Sequence, residues 1–567
     1  MRLTRRHWIW ASALALGLAH LVLLLVTAPE IGYARDEGFY FQAARVYGKW
    51  LALLASDPSR TLQRTAIEAT FRVNAEHPPL MKFAFALSHH FLHQVTHWIA
   101  TPGQSFRFPA MVLAALGTVL VARWGARTIS IGGGLVAGAF FVFLPRVFFH
   151  SHLACFDVPV AVFGLMTAMA WDHALRSGRP KDAVWVGLAF GAMLLTKHNA
   201  WLIPPVLMLH FSCVRGGALW RAGWVRRLKI VAPAVSLLTL GPLVLVLGWP
   251  WLWFDTWAHL TGWARFHLHH VYYNMEFLGQ TYWKPPMPRA YPWVMTLATV
   301  PMVTIVSSLL GMAAVLGAAG PRLFSTVARR FGARAASSMT AALDGQGDTY
   351  LLWLLMIVGA YLPWLSSDTP IFGGTKHWLV AYPFMCLFAG RGYRSLVGLW
   401  SKGLPRRLAG SSRGKAAALA SATLALLAAP AVTTLGSTPW GLSSYMPVVG
   451  GAPGAATLGL NRTFWGYTTP ALFGALREAS PGPARIFVHD TALQSWAMYQ
   501  QDGTLPKRYT GTLSITNSDE ALYHYEPHMG RVEYQIWQAY GTTTPKSVAT
   551  YHGVPVLWLY VRPERRR

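Results

Sequence analysis

Two adjacent carboxylates, Asp36 and Glu37, stand in the run Tyr33-Ala34-Arg35-Asp36-Glu37-Gly38, directly after the first long apolar stretch. Acids are scarce in this chain, with 22 Asp and Glu against 49 Lys and Arg in 567 residues. A pair at the edge of an apolar segment therefore needs a reason. A solvated loop charge is the bland one; the other is proton chemistry, since like-charge proximity tends to raise one pKa of such a pair. Further along, Glu76-His77-Pro78-Pro79 sets an acid and an imidazole ahead of two prolines, which force an extended entry into a helix at Leu80. That motif is either a structural turn or a means of presenting Glu76 and His77 into a cavity. Asp157, just before Val158-Pro159, either caps the next helix or orients a cation. Lys197-His198 and Lys376-His377 each join a cation to an imidazole, and Gly373-Gly374 ahead of the second permits close backbone approach. Arg107 and the cluster His267, His269 and His270 complete the set.

The elements that must position these groups follow from composition. With 53% hydrophobic residues, 13% charged residues and 26 Trp, the chain reads as an α-helical polytopic membrane protein. We expect about eleven transmembrane helices, near 8–27, 106–123, 131–149, 155–174, 183–198, 200–214, 230–250, 293–318, 350–366, 377–393 and 414–432. Residues 1–27 carry Arg2, Arg5 and Arg6 ahead of an apolar run longer than a signal-peptide core, which favours an uncleaved first span. The formal charge of +27 gathers in short connections: Arg215 to Lys229, Arg322 to Arg334, and Lys402 to Lys415. That is the pattern of the positive-inside rule, not of a groove that follows phosphates, so a lipid bilayer is the expected partner and nucleic acid is not. Cys155, Cys213 and Cys386 lie in or beside apolar segments and read as buried thiols.

Sidedness turns on 79–98, which carries Lys82, His89, His90, His93 and His97 and is poor material for a bilayer centre. If this segment lies on the surface as an amphipathic helix, five successive basic connections share the cytoplasmic side with the N-terminus; if it crosses, most of them do not. We therefore expect a cytoplasmic N-terminus in a cell membrane. The first loop 28–105, the turn at Asp157, an aromatic-rich loop 251–292 and the turn 366–376 then fall on the opposite, periplasmic or extracellular face. The expected division is a membrane module, 1–436, and a small soluble α/β domain, 437–567, on that same face. In the latter, Ile486-Phe487-Val488 and Val554–Val561 read as strands, and Thr469–Ala479 and Thr491–Gln500 as helices.

The ordered set Asp36-Glu37, Glu76-His77-Pro78-Pro79-Leu80, Arg107-Phe108-Pro109 and Asp157-Val158-Pro159 resembles the GT-C superfamily of membrane glycosyltransferases, within it the protein O-mannosyltransferase and ArnT-like branch. The turn Gly373-Gly374-Thr375-Lys376-His377 is similar to a feature of that branch. The resemblance implies transfer of a sugar from a polyprenyl-phosphate donor to an acceptor hydroxyl on a lipid, glycan or protein, with inversion, at the outer face. It implies Asp36 as general base with Glu37 in support, because displacement at an anomeric carbon needs a carboxylate to take the acceptor's proton. It also implies that Glu76 helps hold a divalent metal with a distant histidine, His270 or its neighbours. Two nitrogens and a carboxylate would suit zinc or a similar ion; magnesium and manganese are the other divalent metals to consider. The family's phosphate-binding lysine after that Glu is His77 here. Arg107, Lys197, Lys376 and His377 are the other candidates for the donor phosphate, with snorkelling to the headgroups as the plain alternative for Arg107. Asp157 would support these cations. No nucleotide cofactor is expected, and the chain holds no Gly-rich phosphate loop. The different-class alternative is a transporter or flippase of lipid-linked glycans, which would place its polar groups at the midplane and not at one interface.

Overall fold

A computed structural model of the chain describes residues 4–327, 345–402 and 411–563. Of the basic positions that set the expected topology, Arg2, Arg329, Arg330, Arg334, Arg406 and Arg407 lie outside the described residues. The helices that matter below are α1 (Arg5–Thr27), α2 (Arg35–Ser56), α3 (Leu80–Ser88), α4 (Pro102–Thr128), α5 (Ile131–Val142), α6 (Pro145–His152), α7 (Asp157–Ser177), α8 (Pro180–Leu194), α9 (Ile203–Arg221), α10 (Trp224–Gly248), α11 (Thr256–Leu268), α12 (Tyr291–Thr299), α13 (Met302–Val327), α14 (Gly347–Tyr361), α15 (Tyr382–Lys402) and α16 (Ser412–Gly436).

Seven helices among the described residues are long and apolar enough to cross a membrane, and two bent pairs raise the number to nine if each pair is one span. The pairs are α5 with α6, bent by 66°, and α12 with Met302–Gly317, bent by 117°. Each break precedes a proline, Pro145 or Pro301, which cannot donate to the previous turn. Of the eleven expected spans, 183–198 and 377–393 are not in this set. The first corresponds to α8, whose 15 residues reach only about 22 Å. The second falls in α15, where Arg391 and Arg394 dilute the apolar run. Both are nonetheless packed into the bundle, α8 between α7 and α10, and α15 against α13 and α5. Residues 79–98 form α3 followed by wider turns over His89–Val95. Helix α3 buries Met81, Lys82, Phe85 and Ala86 against α2 and α4 and leaves Leu87 exposed. Cys155 and Cys386 are buried, whereas Cys213 is exposed on α9.

The C-terminal region carries a five-stranded mixed sheet. Strands β1 (Met275–Phe277) and β2 (Gln280–Tyr282) form a separate hairpin in the aromatic-rich loop. The larger sheet uses β3 (Ala484–Val488), β4 (Tyr509–Thr512), β5 (Glu520–His524), β6 (Ser547–Tyr551) and β7 (Val554–Val561), in the order β4-β3-β5-β7-β6. Strand β3 runs parallel to β4 and β5, and β7 antiparallel to β5 and β6. The alternation of Ile486 and Val488 with Phe487 sends their side chains to opposite faces. One face packs with α17 (Leu493–Gln501), and its core runs without interruption into Ile31, Tyr33, Tyr40 and Phe41 of the first loop. The other packs with α18 (Gly530–Tyr540) through Ile536 and Tyr540. The region therefore sits on the entrance of α2, and that contact brings it to the acids.

Candidate functional site

Although Asp36 and Glu37 are neighbours in the first turn of α2, they have different surroundings. Glu37 is fully buried and accepts four hydrogen bonds. Arg107 Nε and the Ala154 N–H reach Oε1, both at 2.8 Å, while Arg107 Nη2 and the Ala34 N–H reach Oε2 at 2.7 and 2.9 Å. Arg107 is buried as well and spends its other donors on the Ile31 and Gly32 carbonyls at 2.7 and 2.8 Å. A bidentate pair of this kind, satisfied on both sides, ties α4 and the turn at Ala154 to the start of α2. The expectation that Arg107 meets a donor phosphate, or snorkels to headgroups, is replaced by this pairing.

The Asp36 side chain, by contrast, is about a quarter exposed, and Lys376 Nζ stands 3.5 Å from its Oδ2. Lys376 also lies over the face of Trp465, 3.9 Å from the ring centroid. Burial lowers the Lys376 pKa from its ordinary value, with Asp36 and then Asp157 opposing that shift. The turn that carries Lys376 begins at Gly373 and Gly374, with φ of +77° and +64°. At Gly373 a Cβ would run into the Lys376 side chain itself, so the glycine lets the lysine fold back over the turn.

A second ion pair lies behind the first. Lys197 Nζ is 2.5 Å from Asp157 Oδ1, with His150 Nδ1 3.7 Å from Asp157 Oδ2. Thus Lys197, Lys376, Asp36 and Asp157 form one alternating group, which four separate elements bring together. His77 is half-buried between Tyr40 and Phe156, 5.6 and 5.0 Å between centroids. Burial, followed by the nearby Lys197 charge, pushes its pKa well below the ordinary value, so it is a neutral imidazole beside the lysines. His377 turns away, its Nε2 lying against the Phe372 backbone N–H (3.1 Å) and carbonyl, which braces the Phe372–Lys376 turn.

The expected metal pair does not form. Glu76 Oε1 accepts from Asn74 Nδ2 at 2.6 Å, and the histidine that meets Glu76 is His267, at its carbonyl oxygen (2.9 Å). His270 stacks on Phe372 at 4.6 Å, with Nδ1 2.8 Å from the Val271 carbonyl. Among the described residues no group of three or more His, Cys, Asp and Glu could hold an ion. Glu76 and His270 are thus each engaged with other partners.

Residues 76–252 match the family described as Dolichyl-phosphate-mannose-protein mannosyltransferase. The resemblance to the GT-C membrane glycosyltransferases stands. Among solved structures, the chain is similar to ArnT from Cupriavidus metallidurans in the apo state, at 14% identity and a TM-score of 0.45, over 97% of this chain and 98% of that one. The same protein bound to undecaprenyl phosphate gives 15% identity and 0.44 over the same shares. The apo oligosaccharyltransferase of Archaeoglobus fulgidus gives 10% identity and 0.44, over 93% of this chain and 72% of that one. No curated protein matches the chain.

Trp465, Asp490 and Arg35 also belong to the site but had no part in the sequence reading. Arg35 Nη1 lies 3.5 Å from Asp490 Oδ1, and the Arg35 N–H donates to the Trp465 carbonyl at 2.7 Å. One signal was available for Asp490, a scarce acid standing two residues beyond the strand Ile486-Phe487-Val488. Trp465 had none, since one Trp among 26 does not stand out.

Proposed function

We propose that this chain is an inverting membrane glycosyltransferase that moves a sugar from a polyprenyl-phosphate donor to an acceptor hydroxyl on the periplasmic or extracellular face. Asp36 is its general base. The observation that carries the reading is the arrangement of a part-exposed Asp36 3.5 Å from Lys376, with Lys197 held behind on Asp157, in a chain whose residues 76–252 match the mannosyltransferase family. In this reading the acceptor oxygen attacks the anomeric carbon as its proton passes to Asp36. The bond from that carbon to the phosphate oxygen breaks, and the electron pair leaves on the polyprenyl phosphate. Lys376 and Lys197 offset the charge that builds there, acting as point charges. Glu37 and Arg107 act as scaffold. The C-terminal region, described over 437–563, covers the first loop from the same side of the membrane. Which sugar is moved, mannosyl or aminoarabinosyl, is left to the test.

The test is transfer from a panel of polyprenyl-phosphate sugars by purified protein in proteoliposomes. Asp36→Asn keeps size and polarity and removes the basic oxygen, so turnover drops by about 100-fold or more. Wild-type turnover in Asp36→Asn overturns the assignment, and no transfer by wild type from any donor of this class overturns the function.

A further inference from the structure

We propose that Asp490 is a positioning residue: by gripping Arg35 and the Gly466 backbone it holds Trp465 beneath Lys376 and so sets the Asp36–Lys376 pair. This rests on the reading of Asp36 as the base. The starting point is the backbone at Trp465 and Gly466, which lie in succession in the left-handed region at φ +69° and +64°. A tryptophan in that region is rare and strained, and it persists only where its neighbours over-determine it. The restraints are visible. The Trp465 carbonyl accepts from the Arg35 N–H at 2.7 Å, and the Gly466 N–H donates to Asp490 Oδ2 at 2.6 Å. A Cβ on Gly466 would collide with the Asp490 carbonyl, so the two chains meet as closely as glycine allows.

Asp490 thus uses one oxygen on the Gly466 backbone and the other on the Arg35 guanidinium, 3.5 Å away. Arg35 is the residue immediately before the proposed base. It is held at its N–H by Trp465 and at its side chain by Asp490, which fixes where α2 begins. Trp465 in turn presents its face to Lys376, a cation–π contact, and Lys376 reaches Asp36. The result is a closed ring of contacts, from Asp36 through Lys376, Trp465 and Arg35 back to Asp36, with Asp490 underneath. Asp490 is only 3% exposed and does not face the mouth of the site, so its part is positioning. Glu526 hydrogen-bonds to Asp490, and Glu526 in turn faces His528, which pairs with Glu276. Burial raises the pKa of both acids, and the Arg35 charge opposes that shift in each.

The experiment uses the full-length protein. Asp490→Asn preserves shape and an acceptor for Gly466 but removes the charge. The expected result is kcat lower by about tenfold, with KM for the donor within about twofold, as for a misplaced catalytic group. Arg35→Gln, on a side chain that is 42% exposed and so tolerant of change, gives the same loss, and the double variant loses no more than either single one. A second readout needs no donor: Lys376 is labelled with an amine-reactive reagent and followed by mass spectrometry, and it labels faster in both variants. Unchanged labelling in both, or additive losses in the double variant, overturns the ring. If no donor is turned over by wild type, the glycosyltransferase reading fails while the labelling still decides the positioning.

Discussion

A carboxylate that already accepts four hydrogen bonds has little left to offer a substrate, and this separates Glu37 from Asp36. Replacing Glu37 by Gln leaves Arg107 buried with no opposite charge, which costs about 3–5 kcal/mol. A melting curve in detergent should show Glu37→Gln strongly destabilised. Asp36→Asn should melt close to wild type, because its side chain is part exposed and makes one long ion pair. Equal melting losses in the two variants would merge the roles separated here. A pH prediction belongs at the same scale. Burial pushes the Asp490 pKa up to about 6, above the ordinary carboxylate value of 3.8. The folded protein therefore binds more protons than the unfolded chain between those values, and stability falls as pH rises through that window. The melting temperature of wild type relative to Asp490→Asn should accordingly be highest near pH 4 and decline toward pH 7. A difference that does not change with pH would contradict this. At this scale the sequence showed which acids were scarce, but the partner of each lay far along the chain. Glu37 and Arg107 are 70 positions apart, and no periodicity links them.

Helices, strands and their breaks were more legible because they depend on local pattern. The strand read at Val554–Val561 has those ends in the structure, and Ile486-Phe487-Val488 lies inside Ala484–Val488. The bends before Pro145 and Pro301 follow from chemistry visible in the letters, but their angles of 66° and 117° do not, since packing decides how far a broken helix turns. Close helix crossings were the least visible. Gly311 of α13 and Gly392 of α15 face each other, and a Cβ on either would strike the other helix, at the Phe388 carbonyl for Gly311 and at the Ser307 carbonyl for Gly392. Small residues at such a crossing let two backbones approach where lipid supplies no hydrophobic drive. Gly392→Val should force these helices apart and cost about 1–3 kcal/mol by overpacking, seen as a lower melting temperature and aggregation on size exclusion in detergent. A variant that melts like wild type would mean that the crossing relaxes freely.

For the whole molecule, composition was enough to identify a membrane bundle followed by a mixed α/β region, but not how the two meet. Tyr33 donates to Asp502, Arg45 to Gln501, and Tyr499 accepts from the Tyr33 N–H at 2.5 Å. These contacts span more than 450 positions of chain, and the shared core of Ile31, Phe41, Trp496 and Leu559 is continuous across them. The histidine cluster was likewise plain in the letters, whereas the rings that stack on it were not. One consequence of the Trp465–Lys376 contact concerns time. A ribosome delivers the proposed base early and the indole that supports its lysine partner more than 400 residues later. A nascent chain already threaded into the bilayer would therefore hold its reactive groups unaligned. Competence would come only once α16 has been inserted and the sheet has folded down onto the first loop.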